Sequence, residues 1–347
     1  MLAAKLHAAE DIRVEMTSET PPPPPHHVQI KVETVGVCGS DLHTYKDGRI
    51  GDTKVSSPVI LGHEFSGVVT QIGEETLDAH GDPLKEGQLV AVDPAVPCWR
   101  CEVCERGDPN LCPNHYFYGL FPEDGALQEF MNVAARSCFP VPDGMTSTVA
   151  TLLEPLGVAI HALDLGKVKL ADTVAVIGCG PIGLKTIKLA KLAGAHRVFG
   201  FDLHDWRAKS ALEWGADEAF CLADGDPVAF LNKATGGAGA DVVFEVAWAD
   251  QSVQQAADMA ALGARVVLVG IPENDQLSLQ HSTARRKGLS LILARRMKHT
   301  YPRAIKLAER LELEGLVTHT FPLAETPAAY AATASYKQGL IKTIIEV

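Results

Sequence analysis

The sequence predicts an α/β protein of two domains, a β-rich first domain and a doubly wound domain built on a parallel sheet. The chain has 347 residues, more than one hydrophobic core usually organises. Short β-rich runs separated by turns fill the part before about residue 150, and apolar strands alternate with alanine-rich helices after about residue 165. We expect 1–152 with 299–347 to form the first domain and 153–298 the second.

The first domain is expected to be antiparallel and barrel-like. The proline run 21–25 cannot lie inside a sheet or helix, because proline lacks an N–H and fixes its own φ, so it should be an exposed connector. The tail from Tyr301 is assigned to this domain; it has a helical pattern followed by a strand-like end. The predicted strands are 27–32, 67–69, 88–92 and 341–347, and the tail helix is 302–313.

The second domain alternates strands and helices, which implies βαβ units and a parallel sheet. The predicted strands are 173–177, 197–201, 241–246 and 265–269, and the predicted helices are 182–193, 208–214 and 251–261.

Composition excludes several classes of partner. The 31 basic and 43 acidic residues give a net charge of −12, which repels nucleic acid. No apolar run approaches the ~18 residues of a membrane span, so no membrane is expected. Charged residues interrupt the N-terminus where a secretory signal needs an apolar stretch. We therefore expect a cytoplasmic protein.

A glycine motif follows the predicted strand 173–177 and opens a helix. Gly178 permits the tight turn, Gly180 allows the backbone to approach a pyrophosphate, and Gly183 allows the helix to pack closely on the strand. Pro181 and Ile182 begin the helix, whose N-terminal N–H groups would hold the phosphates. The context predicts a dinucleotide site rather than an unrelated glycine turn.

An acid at the end of the second strand indicates which dinucleotide is bound. Asp202 lies nineteen positions after Gly183, where a carboxylate can accept from both hydroxyls of the adenosine ribose. This favours NAD, since a 2′-phosphate would meet a negative charge. Arg207 leaves the NADP alternative open, although it is equally consistent with a solvated helix face.

Four cysteines lie within fifteen residues and predict a closed zinc site. Their short spacings allow one loop to wrap a tetrahedral ion, and four thiolates leave no open position, so this zinc should be structural. A redox CxxC is the competing interpretation, without a thioredoxin-like context to support it. The four are Cys98, Cys101, Cys104 and Cys112.

A second group of residues has the composition of a catalytic zinc site. Cys38 and His63 are zinc ligand types, and a carboxylate from Glu64 or Glu154 would complete three protein ligands with the fourth position left for water or alcohol. Taken singly, Cys38 is more often a core cysteine and His63 a buried histidine with a hydrogen-bond partner; their combination with the nucleotide site favours the metal.

The stretches VCGSDLH and GHEFSGVV resemble the zinc-containing medium-chain dehydrogenases, and the resemblance extends over essentially the whole chain. Within that family the chain is most similar to the sorbitol dehydrogenases. The family implies a GroES-like catalytic domain with a Rossmann domain, commonly in a tetramer or dimer. The loop 74–86 is longer and more polar than is usual in the family. Further similar stretches are 48–51, 122–125, 154–156, 160–162, 316–319 and 321–323.

The resemblance also implies roles for the site residues. Cys38 and His63 would bind the catalytic zinc, with Glu64 as third ligand in sites of the sorbitol dehydrogenase type; the carboxylate of Glu154 is the ligand in some bacterial relatives, and both remain open. Asp41 would orient the ligand histidine. Ser40 and His43 would relay the alcohol proton to an imidazole near solvent, or His43 is an ordinary surface histidine.

The expected function is NAD-dependent oxidation of a polyol at a secondary hydroxyl, with two zinc ions per chain. Tyr45, Tyr118, Glu154 and Arg296 are the candidate substrate contacts. The runner-up substrate is a phosphorylated or acidic sugar held by the basic run 295–299, or a simple secondary alcohol. A catalytically silent NAD(P)H binder would be expected to lack these ligands.

Overall fold

The computed structural model describes residues 1–247, 249, 251–272 and 276–347. They form two compact units, Met1–Glu154 with Tyr301–Val347, and Pro155–Thr300. These boundaries lie within two residues of those expected from the sequence.

The strands are numbered in chain order. They are β1 (Leu2–Ala8), β2 (Asp11–Met16), β3 (His27–Gly36), β4 (Arg49–Ile50), β5 (Thr53–Lys54), β6 (Val59–Ile60), β7 (Glu64–Ile72), β8 (Leu89–Val92), β9 (Ala95–Val96), β10 (Tyr116–Phe117), β11 (Phe130–Ala134), β12 (Cys138–Pro140), β13 (Thr173–Ile177), β14 (Arg197–Asp202), β15 (Glu218–Cys221), β16 (Ala240–Glu245), β17 (Ala260–Leu268), β18 (Ser290–Leu293), β19 (Val317–Pro322) and β20 (Lys342–Glu346).

The helices are numbered in the same way, with short 3₁₀ turns between some of the elements. They are α1 (Gly39–Asp47), α2 (Glu102–Glu105), α3 (Ser147–Thr151), α4 (Leu153–Gly166), α5 (Pro181–Leu192), α6 (Asp205–Glu213), α7 (Pro227–Ala234), α8 (Ser252–Met259), α9 (His281–Lys287), α10 (Tyr301–Leu311) and α11 (Thr326–Ala334).

The first unit is built around one large sheet with the order β12-β8-β7-β3-β20-β19, and β11 also pairs with β3. Its pairs are antiparallel apart from β19 with β20. The C-terminal tail adds its strands to this sheet, as predicted. Pro21–Pro25 form an irregular connector that is exposed except at Pro23, which confirms that prediction.

The second unit contains a parallel sheet with the order β15-β14-β13-β16-β17-β18. The order reverses beside β13, and in doubly wound folds the ligand binds beyond the carboxyl ends of the strands at that place. β13 and β16 are buried along most of their length, as expected for strands covered on both faces. The predicted doubly wound domain is therefore confirmed.

The helical stretch Ser147–Gly166 is long and apolar enough to cross a membrane by length and composition. Most of it is buried inside the protein, as is usual for a core helix. The absence of a membrane partner remains a prediction.

Candidate active site and cofactor site

Three residues of the first unit bring metal-binding atoms together. The ligand atoms of Cys38, His63 and Glu64 all lie within 4.8 Å of one another. Cys38 is half-buried, and His63 and Glu64 are buried. Cys38 immediately precedes α1, and His63 and Glu64 stand at the start of β7, so a helix N-terminus and a strand end supply the group. A thiol, an imidazole and a carboxylate are a donor set that suits zinc, and three protein ligands leave a fourth position.

Asp41 orients this group from the first turn of α1. Its Oδ1 lies 3.0 Å from Nδ1 of His63, and its Oδ2 accepts from the N–H of Cys38 at 3.1 Å. When Nδ1 donates to the carboxylate, the lone pair of Nε2 is available to a metal. The orienting role expected of Asp41 agrees with this geometry.

Ser40 and His43 lie on α1, three residues apart. The hydroxyl of Ser40 is 3.4 Å from Sγ of Cys38 and 3.3 Å from Nε2 of His63, so it borders the donor group. His43 is buried, with an exposed fraction of 5%, and the expectation that its imidazole lies near solvent is wrong. The reason is tertiary: α1 buries its middle residues and packs against α11 of the C-terminal tail.

Glu154 is buried in the first turn of α4. Burial raises the pKa of its carboxyl to about 8, with His63 lowering and Glu64 raising it. A divalent cation nearby would favour its charged form. Among the residues that the structure describes, Glu154 is not grouped with Cys38 and His63 within ligand distance. The geometry therefore favours Glu64 as third ligand.

The sequence reasoning missed two residues at this site. Lys342, at the start of β20, is buried and forms an ion pair with Glu64. The ring of Phe117 lies 5.4 Å from that of His63. Neither residue belongs to a ligand motif, and Lys342 is 278 residues from its partner. No sequence pattern pointed to either contact.

The two tyrosines predicted to contact substrate are packed inside the first unit. The hydroxyl of Tyr118 accepts from the N–H of Ala134 at 2.9 Å, and its ring meets that of Phe65 edge-on. Tyr45 packs edge-on against Tyr330, with ring centroids 5.5 Å apart. Both side chains are buried and pack as core residues, and a contact of either with substrate stays a prediction.

Arg296 belongs to the second unit, in the segment that follows β18. It is half-buried and has a φ of +55°, a backbone conformation that is uncommon for an arginine. Its neighbour Met297 is buried. A contact between Arg296 and substrate stays a prediction.

The four clustered cysteines also come together in the first unit. Their sulfurs lie within 4.8 Å of one another, with 3.5 Å between Cys98 and Cys112, 3.5 Å between Cys101 and Cys104, and 3.8 Å between Cys101 and Cys112. Zn–S bonds of about 2.3 Å in a tetrahedron place sulfurs about 3.8 Å apart. The cluster therefore fits a closed zinc site, and all four are free thiols rather than a disulfide pair.

Each glycine of the loop in the second unit meets a different structural requirement. Gly178 has a φ of +98°, which favours glycine. A Cβ on Gly183 would lie 1.8 Å from the carbonyl oxygen of Gly178, because α5 packs closely on the loop. A Cβ on Gly180 would meet nothing nearer than Arg207, at 3.8 Å. Pro181 and Ile182 begin α5 directly after it, so space remains where a pyrophosphate would approach.

Asp202 ends β14 and is buried. Its Oδ2 accepts from the N–H of Cys179 at 2.8 Å and its Oδ1 from the N–H of His204 at 2.9 Å. Each carboxylate oxygen has a second lone pair, so both can still accept from ribose hydroxyls. Arg207, on α6, lies over the ring of Trp206 at 5.0 Å and beside the glycine loop.

Comparisons with known proteins agree with this geometry. The model of the alcohol dehydrogenase GroES-like domain matches residues 24–143, and that of the zinc-binding dehydrogenases matches residues 181–310. The sorbitol dehydrogenase of Rattus norvegicus is 36% identical to the chain, with 99% of this chain and 95% of the relative covered. That of Bacillus subtilis is 33% identical, with 99% and 97% covered.

The chain belongs to the zinc-containing medium-chain dehydrogenases. The family and the GroES-like and Rossmann fold class predicted from the sequence are thereby confirmed. It is an enzyme of the zinc-dependent alcohol and polyol dehydrogenase family, and Cys38, His63 and Glu64 form a donor set that could hold zinc.

Solved structures similar to this chain contain either dinucleotide. A short chain alcohol dehydrogenase of Escherichia coli in complex with NADH is 27% identical, with a TM-score of 0.90 and 100% and 99% of the chains covered. A zinc-binding dehydrogenase of Sinorhizobium meliloti bound to NADP is 28% identical, with the same TM-score and coverage. Galactitol-1-phosphate dehydrogenase of E. coli is 25% identical, with a TM-score of 0.90 and both chains covered completely.

Proposed function

We propose that this dehydrogenase transfers a hydride from a secondary hydroxyl of a polyol, of the sorbitol or xylitol type, to NAD and so forms a ketose. The observation that carries the proposal is the donor group Cys38, His63 and Glu64, whose ligand atoms lie within 4.8 Å of one another. The polyol is favoured because relatives that match nearly the whole chain are sorbitol dehydrogenases.

In the proposed mechanism, side chains of this chain bind the metal and transfer the proton of the alcohol. Zinc bound at this group would lower the pKa of a coordinated alcohol, while NAD would accept the hydride. Asp41 keeps Nε2 of His63 turned to the donor group. The hydroxyl of Ser40 borders both Cys38 and His63, where it can accept the alcohol proton and pass it on. His43 follows on the same face of α1 and is the proposed next group of this relay; because it is buried, the proton must pass on from it to reach solvent.

The choice of NAD is supported by Asp202. A buried carboxylate at the end of the second strand can accept from the ribose hydroxyls and would repel a 2′-phosphate. Arg207, whose Nη1 would lie 3.8 Å from a Cβ on Gly180, is the proposed partner of the pyrophosphate. We therefore propose NAD as the cofactor, with a preference over NADP of roughly tenfold or more, which corresponds to about 1.4 kcal/mol.

A second substrate class has an observation in its favour. The run Arg295, Arg296 and Lys298 concentrates positive charge in the second unit, and a structural relative acts on galactitol 1-phosphate. A guanidinium can hold a phosphate through two parallel hydrogen bonds. A phosphorylated polyol is therefore the alternative substrate.

The test is a substrate screen that follows NADH formation by the purified enzyme. We expect the highest kcat/KM with a pentitol or hexitol and NAD, and a lower value with NADP. Exclusive activity on a phosphorylated or acidic sugar would support the alternative. Strong activity on 2-propanol with none on any polyol would contradict both.

We further propose that the enzyme acts in the cytoplasm as a homo-oligomer, with neither nucleic acid nor membrane as partner. The free state of all eight cysteines is consistent with a reducing compartment. The net charge of −12 argues against binding to phosphate backbones.

A further inference from the structure

The Glu64–Lys342 ion pair lies against the proposed metal ligands. Nζ of Lys342 bonds Oε2 of Glu64 and donates to the carbonyl oxygen of Val37 at 2.8 Å. Both side chains of the pair are 2% exposed. Val37 is the residue before Cys38, so the ammonium is held between a backbone carbonyl next to one proposed ligand and the carboxylate of another.

The pair lies against Gly36 of the sheet, where a side chain would collide with it. Gly36 on β3 pairs with Glu64 on β7 and with Ile344 on β20. A Cβ on Gly36 would lie 2.5 Å from Oε2 of Glu64, 3.0 Å from Cε of Lys342 and 3.2 Å from Nζ. The missing side chain of Gly36 is thus what accommodates the pair, and the ammonium is confined beside the carboxylate.

The carboxylate of Glu64 is therefore shared between the proposed metal site and the ammonium of Lys342. One of its oxygens lies within 4.8 Å of the ligand atoms of Cys38 and His63, and Oε2 is bonded to Lys342. A buried carboxylate without a cation is costly, so the ammonium stabilises the metal-free site. The same ammonium would compete with a metal ion for this carboxylate and would place a like charge near it.

We propose that Lys342 is a positioning residue that competes with zinc for Glu64, stabilising the metal-free site and lowering its affinity for zinc. The role of Glu64 as third ligand comes from the proposed function, and the competition is new. Because the ammonium compensates Glu64 when the metal is absent, the site keeps its shape and can exchange its ion.

The test compares the zinc affinity of Lys342→Met and Lys342→Gln with that of the unmodified enzyme, by competition with a chelator. The glutamine keeps hydrogen-bond donors and removes the charge, so it also serves if the methionine variant does not fold. We expect both variants to bind the exchangeable zinc at least tenfold more tightly. We also expect their thermal midpoint to fall more in the zinc-free protein than in the zinc-loaded protein.

Controls separate the competition from simple packing. Lys191→Met removes a lysine that is paired with Asp217 in the second unit, and zinc affinity should not change. Glu64→Gln with Lys342→Met should lose most of the gain seen with Lys342→Met alone, because the shared carboxylate is absent.

An unchanged or weaker zinc affinity in both Lys342 variants overturns the proposal, as does an equal loss of stability with and without zinc. If the proposed function itself were wrong, the zinc content would show it. In that case the unmodified enzyme itself would contain zinc only at the four-cysteine cluster.

Discussion

At the scale of single residues, Arg296 tests the proposed recognition of a polyol. If Arg296 holds hydroxyls of a polyol away from the reacting carbon, Arg296→Ala should lower kcat/KM for polyols by roughly 1–3 kcal/mol and spare 2-propanol. The left-handed backbone at this position is kept, since alanine and arginine both carry a Cβ. Steady-state kinetics on both alcohols measure the effect.

Arg295→Ala is the matched control, because Arg295 is the exposed neighbour. An equal loss on 2-propanol in Arg296→Ala would mean that the arginine supports the fold rather than the substrate.

Glu245, at the end of β16, gives stability a pH dependence. It is buried, with an exposed fraction of 2%, and burial raises the pKa of its carboxyl to about 7, although Ser252 and Ala247 donate to it. Between the unfolded pKa of about 4.5 and this value, the folded chain binds more protons than the unfolded chain. Stability from this group is therefore present at low pH and is lost as the pH rises through 7, by an amount on the order of 3 kcal/mol.

Glu245→Gln removes this titration, so its thermal midpoint relative to the unmodified enzyme should rise from pH 5 to pH 8. Calorimetric scans over that range measure the difference. Glu213→Gln, an exposed change on α6, should show no such trend, and a constant offset for Glu245→Gln would count against the interpretation.

At the scale of an element, two glycines of the turn between β13 and α5 have different roles, one in packing and one in the proposed binding of the dinucleotide. Gly183→Ala places a Cβ against a backbone carbonyl, so we expect a loss of stability of roughly 1–3 kcal/mol. Gly180→Ala meets no such contact and has an ordinary φ of −77°. It should keep the thermal midpoint and weaken dinucleotide binding.

Thermal unfolding and NADH titration distinguish the two variants. Equal NADH affinity in Gly180→Ala and the unmodified enzyme would show that no phosphate approaches this glycine.

The segment 98–112, which contains the four clustered cysteines, should depend on its metal for stability. It contains only the short α2 and a 3₁₀ turn at Pro109–Leu111, with too little apolar surface for a core of its own. Cys101→Ala should reduce zinc from two ions to one per chain and lower the thermal midpoint. Cys38→Ser should instead abolish turnover and leave the fold.

Metal analysis with calorimetry tests both variants. Cys221→Ala, a buried cysteine outside both clusters, is the control and should keep two zinc ions. If Cys101→Ala kept its zinc and its thermal midpoint, the structural assignment would be wrong.

At the scale of the whole molecule, the edge strand β18 bears on the proposed oligomer. It ends the parallel sheet of the second unit and exposes Leu291 and Leu293, the latter to 68%. Exposed apolar edge strands favour pairing with another chain, and a second copy related by a twofold axis would cover both edges. Leu293→Lys should therefore lower the molecular mass in solution.

Sedimentation equilibrium gives that mass. Leu170→Lys, a change at a still more exposed leucine outside β18, should leave it unaltered. An unchanged mass in Leu293→Lys would show that copies do not associate through this edge.

The sequence by itself determined the β-rich first part, the alternation of strands and helices that follows, the glycine loop with its acid, and the two groups of metal-binding side chains. These features depend on local signals: a strand, turn and helix in succession, closely spaced cysteines, and ligand types in recognisable motifs. The first and last residues of β13 followed from its apolar run and the turn after it. The antiparallel and parallel character of the two large sheets followed from the pattern of strands, helices and turns. For the same reason the family could be identified before any contact was known.

Only the tertiary structure decided what surrounds those motifs. It buried His43, turned Tyr45 and Tyr118 into core residues, and placed Lys342 on Glu64. Each outcome depends on segments far apart in the chain, such as α11 packing on α1 and β20 joining β3. Burial and charge pairing are properties of that packing, so no local pattern in the sequence could predict them.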